Sequence, residues 1–396
     1  MSPHCEMAIA DALGTGTAIL KFISANDVDL TGGHQGGFYL PKSFWQMFTT
    51  IAPDKGTNGE QFVKVLWQDG RTTDSRIIWY GKGTRSEYRL TRFGKDFPFR
   101  TFDNLGDLLV LVPVEQGFFR AYVLFDDEDM AEIQAALGVE IINRVAAYTA
   151  GHEKQAETPD ECIDRQFREF MKALEKFPPT AAFSTTAREA LEHCVREFKK
   201  QTADQRLTSL MEAEYRLFRM VERQICQKEI QKLFKDVDDF IHTAQSITNR
   251  RKSRAGRSLE NHVAYLLDAA AVPYAPRPRI DGKVEPDILI PSKEAYEDPN
   301  FPTEHLCVVG VKTTCKDRWR QVLSEGKRIE KKHILTVQPG ISSNQLAEMR
   351  EKNVTLIVPQ SLHKEYPKDT GINLLTVEQF IADMQARPWQ QLGGAA

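Results

Sequence analysis

Two carboxylates and a lysine in the C-terminal half of the chain are the residue types that a metal-dependent phosphodiesterase needs. Asp287 follows Pro286, Lys312 closes the apolar run 306–311, and Glu325 lies further on in a helical pattern. Carboxylate oxygens suit a hard divalent cation, and a neighbouring lysine can act on a water molecule beside a phosphodiester. Each signal is weak alone, because Asp287 could instead be a turn aspartate and Lys312 a solvated strand end.

Residues 315–329 have helical spacing, which predicts where Glu325 points. Apolar residues recur at core spacing, whereas Asp317, Gln321 and Glu325 follow one another at i, i+4 and i+8 on another face. Glu325 is therefore expected to point away from the apolar stripe, towards either solvent or a metal ion.

The elements around these residues alternate between helix and strand. The pattern predicts helices at 258–271 and 315–329 and strands at 286–290, 306–312, 333–338 and 354–358. This order indicates an α/β layer fold with a mixed sheet.

Residues 15–125 are mostly strand-like instead. Short runs rich in β-branched and aromatic residues stand at 17–23, 62–67, 76–80, 108–114 and 118–125. The turn Glu115-Gln116-Gly117 joins the last two as a hairpin, and the whole favours a small closed or nearly closed barrel. A short helix is expected at 127–137.

A composition change near residue 150 predicts a domain boundary. Residues 150–162 lose both hydrophobicity and periodicity, whereas 163–245 have helical spacing with core Met and aromatic residues. We expect an N-terminal domain at 1–150, a linker at 151–180 and a C-terminal domain at 181–396.

Composition limits the protein class. The 41% hydrophobic and 27% charged contents are typical of globular chains, and no apolar run reaches the ~20 residues of a membrane helix. No signal peptide is visible, so a cytoplasmic location is expected. The six scattered cysteines form no Cys-x-x-Cys pair, which disfavours a zinc or redox site. The net charge of −3 argues weakly against nucleic-acid binding, but residues 249–257 carry five cations and no anion.

The stretch Val311-Lys312-Thr313-Thr314-Cys315-Lys316-Asp317-Arg318-Trp319-Arg320-Gln321 closely resembles the core of the EcoRII family of type II restriction endonucleases. Residues 249–260, 358–364 and 31–35 also resemble that family, and the similarity runs from about residue 15 to residue 385. It implies a restriction-endonuclease-like PD-(D/E)XK core in which the second carboxylate has moved to the following helix. The strand-rich N-terminal part would then be an all-β pseudobarrel effector domain.

The resemblance also assigns catalytic roles. Asp287 and Glu325 would ligate Mg²⁺, and Lys312 would orient or deprotonate the attacking water. Glu260 would position the metal through water or steer Lys312. Tyr296 matches a tyrosine at the family's site, although a loop aromatic that closes the core remains the alternative.

Two groups of residues in the C-terminal part would contact DNA. Lys316, Asp317 and Arg318 would enter the major groove, where they suit a G·C-rich target; alternatively, Thr314 and Asp317 form a capping box. A set of cations would hold backbone phosphates, unless it is only a solvated basic loop: Arg250, Arg251, Lys252, Arg254 and Arg257.

The N-terminal domain would bind a second copy of the target through two arms. His34, Gln35 and Tyr39 match one arm, and Arg85, Glu87 and Arg89 match the other. Tyr88 stands where the family has a lysine. His34 could otherwise be a turn histidine, and the cations of 82–92 could be the exposed face of an edge strand.

The resemblance as a whole implies a homodimeric, Mg²⁺-dependent endonuclease that cuts double-stranded DNA at a CCWGG-like site, before the first cytosine. The N-terminal domain would partly block the catalytic cleft until it binds DNA. Leu210-Met211-Glu212-Ala213 replaces a basic run of the family, so outer-base contacts differ here. The alternatives are a catalytically inactive DNA-binding regulator and a structure-specific repair nuclease.

Overall fold

A computed structural model describes residues 1–28, 37–83, 85–141, 144–150, 161–367 and 371–389. The chain divides into two compact units. The first contains residues 1–154, 338–346 and 364–370, and the second contains residues 155–337, 347–363 and 371–396. The domain division predicted at residue 150 stays a prediction, since the described part omits residues 151–160.

The first unit is dominated by β-strands. Its elements are α1 (Pro3–Thr15), β1 (Thr17–Phe22), β2 (Phe38–Leu40), β3 (Asn58–Trp67), β4 (Thr72–Tyr80), β5 (Glu87–Thr91), β6 (Leu108–Glu115), β7 (Phe118–Leu124), α2 (Asp127–Leu137) and β8 (Val145–Thr149). The strands form one sheet in the order β2-β5-β4-β3-β7-β6-β1-β8, in which β3 and β7 are parallel and the other neighbours antiparallel.

Alternate side chains along each strand point to opposite faces of this sheet, and both faces are covered. One face encloses an aromatic core that includes Trp67, Trp79 and Tyr88. The other packs Leu20 and Val110 against α1 and α2. The predicted pseudobarrel fold, the five strand runs, the β6–β7 hairpin and the helix at 127–137 are confirmed; α1 is an additional element.

The second unit begins with helices and continues as an α/β sheet. Its helices are α3 (Glu161–Lys172), α4 (Thr180–Cys194), α5 (Ala203–Ile230), α6 (Val237–Ala269), α7 (Lys293–Glu297), α8 (Trp319–Val322), α9 (Ser343–Glu351) and α10 (Val377–Gln385). Its strands are β9 (Ala275–Pro276), β10 (Ile288–Ile290), β11 (Cys307–Lys312), β12 (Lys332–Thr336), β13 (Val354–Ile357) and β14 (Asn373–Leu375). Part of α9 is assigned to the first unit.

The six strands form a mixed sheet in the order β14-β13-β12-β11-β10-β9. Strands β11 to β14 are parallel, whereas β9 and β10 run antiparallel to their neighbours. The central strands β11 and β12 are buried almost throughout because both of their faces are covered, and β12 buries the polar Lys332, His333 and Thr336 as well. The predicted α/β class with a mixed sheet is confirmed.

The helix predicted at 315–329 is wrong in extent. Only α8, Trp319–Val322, is α-helical, and Gly326 adopts a left-handed φ of 62° that a continuing helix cannot contain. Arg318 is the N-cap of α8 and makes no side-chain cap hydrogen bond, so this described helix does not begin at Thr314. Close packing on β11 positions α8: a Cβ on Gly310 would lie 2.4 Å from Val322 Cγ2.

The helical region also departs from its prediction. The helix expected at 258–271 is the end of the 33-residue α6. Helix α3 lies within the segment predicted as linker, yet Ile163 and Phe167 are buried in the core of the helical part. A disulfide joins Cys162 of α3 to Cys194 of α4, with Cα atoms 5.8 Å apart. No helix in the described residues is both long and apolar enough to cross a membrane.

Candidate active site

The first carboxylate of the predicted site, Asp287, is hydrogen-bonded to the end of β11. Asp287 directly precedes β10, which pairs antiparallel with β11 through Ile288 and Val309. Its Oδ2 accepts a 2.7 Å hydrogen bond from the Val311 amide and another of 2.7 Å from Lys312 Nζ. The backbone pairing of two core strands thus fixes both side chains at one corner of the sheet.

Glu325 brings the second carboxylate to the same corner from the turn that follows α8. Burial raises the pKa of Glu325 to about 7; the charge of Lys312 opposes this rise, and that of Asp287 adds to it. Among the described residues its Oε2 is buried without a hydrogen-bond partner. The charges of Lys312 and Asp287 thus both act on the Glu325 carboxyl.

The turn that carries Glu325 is held from two sides by residues that the sequence did not single out. Lys332, at the start of β12, donates to the carbonyl oxygen of Glu325 at 2.6 Å. On the other side, Asp281 Oδ2 accepts from the Lys327 amide at 2.9 Å. The only sign of Lys332 in the sequence was a lysine at the start of an apolar strand, which looks like any solvated strand end.

Tyr296 belongs to this support: within the described part of the chain its hydrogen bonds go to Asp281 and Arg328, not to Asp287 or Lys312. Its hydroxyl donates to the Asp281 carboxylate at 2.8 and 2.9 Å and accepts from the Arg328 amide at 3.4 Å. Tyr296 therefore lies behind the Glu325 turn, in a hydrogen-bonded position.

Glu260 is engaged by an arginine that the sequence also left unnoticed. Its two oxygens accept from Arg277 Nη2 at 2.8 Å and Nε at 2.9 Å, and Arg257 lies 3.5 Å away. The Arg277 amide donates to the Asp287 carbonyl at 3.1 Å. The hydrogen bonds to Glu260 raise the pKa of Arg277. Burial opposes this rise, and the charge of Asp287 adds to it. The Glu260–Arg277 pair thus stands beside Asp287.

The donor set fits a hard divalent cation that keeps water in its coordination shell. The described residues contain no group of three or more His, Cys, Asp or Glu side chains that could enclose a metal. The corner offers two carboxylates, Asp287 and Glu325, one with a buried oxygen that lacks a partner. Mg²⁺ is characteristically held by one or two carboxylates plus waters and substrate phosphate oxygens.

Comparison with known proteins identifies the family. Residues 14–151 match the model "Restriction endonuclease EcoRII, N-terminal", and residues 218–381 match "EcoRII C terminal". The type II restriction enzyme EcoRII of Escherichia coli is 34% identical over 383 residues, which cover 92% of this chain and 93% of that enzyme. The chain belongs to the EcoRII family of type II restriction enzymes.

Solved restriction endonucleases give weaker structural matches to this EcoRII-family chain. The endonuclease PspGI, in a complex with substrate DNA, is 17% identical and covers 52% of this chain and 92% of its own, with a TM-score of 0.44. Metal-depleted Ecl18kI, in complex with uncleaved DNA, is 18% identical and covers 60% and 87%, with a TM-score of 0.45.

The base-reading residues expected of an EcoRII-family chain lie between β11 and α8. Asp317 and Arg318 are exposed, whereas Lys316 is buried. Because Lys312 ends β11, this segment leaves the sheet at the corner that carries Asp287.

The cations predicted to hold phosphates lie on α6, and three of them meet glutamates of α5. Arg250 pairs with Glu229, Arg251 Nε contacts Glu222 at 2.6 Å, and the buried Arg254 contacts Glu214 at 3.4 Å. Lys252 is half-buried, and the exposed Arg257 lies near Glu260. In this conformation the three ion pairs join the two long helices, and Arg254 is not at the surface.

The predicted DNA-facing arms of the EcoRII-family N-terminal unit are described in part. His34 and Gln35 lie outside the described residues. Tyr39 and Arg89 are paired across β2 and β5, and the buried Arg89 donates to Glu87 at 3.1 Å and to the Gly37 carbonyl at 3.0 Å. Arg85 is exposed, with its guanidinium 5.4 Å from the centre of the Tyr80 ring.

Tyr88, at the position where the resemblance led us to expect a lysine, is a core side chain. It is fully buried, and its hydroxyl donates to the Ile51 carbonyl at 2.5 Å. The substitution therefore concerns the interior of the first unit.

Proposed function

We propose that this type II restriction enzyme hydrolyses phosphodiester bonds of double-stranded DNA at the corner formed by Asp287, Lys312 and Glu325, with Mg²⁺ as cofactor. The observation that carries the proposal is the buried, unpartnered oxygen of Glu325 beside a carboxylate already fixed by Lys312. An unpaired buried carboxylate is costly unless a ligand such as a cation completes it.

The roles of the chain's own groups follow from their bonding. Asp287 and Glu325 would hold the cation, which supplies neutralisation of the charge that develops on the scissile phosphate. Lys312 can donate to Asp287 and to a water molecule at once, because an ammonium has three donors. It would orient or deprotonate that water for attack on phosphorus, so that the 3′-oxygen leaves and the 5′-phosphate remains on the product.

For Glu260 and Tyr296 the contacts support indirect roles. Glu260 is saturated by Arg277, so we assign it to steering of the Asp287 segment rather than to direct metal ligation. Tyr296 would hold the Glu325 turn through Asp281.

We infer a CCWGG-like target, cut before the first cytosine, with Lys316, Asp317 and Arg318 reading bases. Family membership supports the target class, and the exposure of Asp317 and Arg318 next to the corner supports the reading role. Arg250, Arg251, Lys252 and Arg257 would contact phosphates when DNA competes for their present partners. The absence of a basic run at 210–213 leads us to expect altered contacts to the outer base pairs.

The N-terminal unit would bind a second copy of the target and restrain the enzyme until it does. Its match to the family's N-terminal model supports this role, with Tyr39, Arg85, Glu87 and Arg89 and the undescribed His34 and Gln35 as the proposed contacts. A DNA substrate also supports a cytoplasmic location.

We further propose a homodimer, whose two-fold axis would place two such corners on opposite strands of a near-palindrome. An exposed apolar surface at the connection between α5 and α6 supports it: Ile230, Leu233, Val237, Phe240 and Ile241. Charges of both signs flank this surface, so the same patch on two subunits can pair with itself: Lys228, Lys232, Lys235, Asp236, Asp238 and Asp239. Lys232 and Asp239 already pair within the chain. Leu233→Glu should convert the dimer to a monomer in light scattering.

The decisive experiment is digestion of plasmid DNA with Mg²⁺ or with EDTA, followed by sequencing of the fragment ends. We expect discrete bands with Mg²⁺ that share one short recognition sequence, and loss of cleavage in Asp287→Asn. Retained DNA binding without cleavage by the unaltered protein would indicate an inactive regulator instead. End-dependent smears would indicate a repair nuclease.

A further inference from the structure

A buried lysine ends on three backbone carbonyls of the turn that carries Glu325. Lys332 Nζ donates to the carbonyl oxygens of Glu325 at 2.6 Å, Gly326 at 2.8 Å and Ile329 at 2.5 Å. An ammonium has three N–H donors and no acceptor, so these bonds use its whole capacity. Lys332 thus makes the same three contacts that a capping group would make at a helix end.

The lysine is itself anchored in the centre of the sheet. It begins β12, pairs with Val308 of β11, and its amide donates to the Asn353 carbonyl at 3.1 Å. Its side chain is buried, and an ammonium in such a place is costly unless it is fully hydrogen-bonded. Its position is therefore set by β-pairing and not by the turn.

The turn needs this support because it is not part of a long helix. Helix α8 ends at Val322, and Gly326 takes a left-handed φ of 62°. Near Glu325, backbone hydrogen bonds run from the Glu325 amide to the Val322 carbonyl and from the Ile329 amide to the Gly326 carbonyl. Without Lys332, the carbonyls of Glu325 and Ile329 would lose this donor, Gly326 would keep only the Ile329 amide, and the backbone at Glu325 would lose this attachment to the sheet.

We propose that Lys332 is a positioning residue that fixes the backbone at Glu325, so that the carboxylate is presented to the divalent cation. This inference rests on the proposed metal role of Asp287 and Glu325. Lys332 touches neither substrate nor cation; it acts through the turn. Loss of a group that orients metal ligands in this way typically lowers metal affinity or activity by roughly 10- to 100-fold, and for a group that acts through the backbone turn we expect the loss in affinity.

The test compares Lys332→Met with Lys331→Met in the full chain. Both variants remove one positive charge, but Lys331 is exposed and has no bond to the turn. For Lys332→Met we expect the Mg²⁺ concentration at half-maximal cleavage to rise by about tenfold or more, with kcat at saturating Mg²⁺ nearly unchanged. Lys331→Met should match the unaltered enzyme in both quantities.

A second readout needs neither metal nor DNA. In metal-free protein, hydrogen exchange of the amides at 325–329 should become faster in Lys332→Met and stay unchanged in Lys331→Met. Equal Mg²⁺ dependence of Lys332→Met and the unaltered enzyme would overturn the proposal. So would an equal shift in both variants, because charge alone would then explain it.

Should Lys332→Met fail to fold, Gly326→Ala tests the same turn without altering a charge. A Cβ there meets only side-chain atoms at 3.4 Å or more, but the left-handed φ disfavours alanine. We expect the same rise in the Mg²⁺ requirement; an unchanged requirement would contradict the proposal. Failure of the proposed function is distinguishable, because Asp287→Asn would then cleave normally whatever Lys332 does.

Discussion

Two glutamates of the second unit, the buried Glu214 and the half-buried Glu325 with its buried Oε2, have opposite acid–base behaviour. Glu214 of α5 accepts from Ser184 Oγ at 2.6 Å, and its carboxylate lies 3.0 Å from His262 and 3.4 Å from Arg254. Burial alone would raise the pKa of Glu214, but His262, Arg254 and Ser184 lower it below its ordinary value. Glu325 has no such partners at Oε2, and burial raises its pKa to about 7.

The difference shows what each carboxylate is for. The Glu214 charge is compensated by side chains of α4 and α6, so it joins three helices of the fold. The Glu325 charge is left for something that the chain does not contain, beside a lysine and a second carboxylate. A fully bonded buried charge indicates architecture, whereas an incompletely bonded one at a sheet corner indicates a ligand site.

The largest expected effect is on the rate of DNA cleavage, from a substitution at the corner that contains Glu325. Lys312→Ala should lower the single-turnover rate of DNA cleavage by roughly 10²- to 10⁴-fold, the range for loss of a group that orients or deprotonates the nucleophile. The free energy of unfolding should change far less than the rate. Lys331→Ala is the control, since it removes an exposed lysine charge just before β12, at the opposite end of the β11–β12 pair from Lys312. Cleavage by Lys312→Ala at a rate near that of the control would refute the assigned role.

The Glu214 network should show the reverse pattern. Glu214→Ala leaves Arg254 and His262 buried without their carboxylate, and loss of one partner of a buried ion pair costs about 3 to 5 kcal/mol. We expect urea denaturation to show a loss of that order. The exposed control Glu212→Ala should be nearly neutral, although Glu212 has contacts of its own. A small loss in Glu214→Ala would mean that the network is not structural.

The sequence predicted the two sheets, because apolar runs mark buried strands. The three residues of the corner came from the family motif at and after β11, and their roles stay a proposal. Sequence reasoning failed where tertiary contacts decide. The helix expected at 315–329 stops at Val322, since Gly326 turns left-handed and Lys332 binds the carbonyls beyond it. Neither the Glu260–Arg277 pair nor the Cys162–Cys194 disulfide follows from spacing, because both depend on how separate elements meet.

The raised pKa of Glu325 predicts how stability depends on pH in metal-free protein. Below about pH 4.5 the carboxyl is protonated in both folded and unfolded chains. Between there and pH 7 the unfolded chain ionises while the folded site stays protonated, so this group lowers stability as pH rises. Glu325→Gln should therefore stabilise the metal-free protein at pH 8 by about 1 to 2 kcal/mol, allowing for solvent screening, and not at pH 4.

Thermal unfolding at both pH values, with EDTA present, measures this effect. Glu330→Gln is the matched control, because Glu330 is exposed and near in sequence. Addition of Mg²⁺ at pH 8 should stabilise the unaltered protein and not Glu325→Gln. An equal effect of Glu325→Gln at the two pH values would show that the Glu325 carboxylate is not poised as the comparison with Glu214 requires.

The smallest expected effect is at the Glu260–Arg277 pair, whose bonding is intermediate between that of Glu214 and that of Glu325. This pair is bidentate like a structural bridge, but the Arg277 side chain is 39% exposed and stands beside Asp287. Exposure limits its value for folding to less than about 1 kcal/mol. Loss of its support for the Asp287 segment should nevertheless lower cleavage by roughly tenfold. We therefore expect Arg277→Gln to cleave slowly while unfolding at nearly the normal urea concentration.

The control is Arg279→Gln, whose partner Glu285 is likewise exposed. Normal cleavage with reduced stability in Arg277→Gln would show that this pair stabilises the fold, as the Glu214 network does, and does not support the active site.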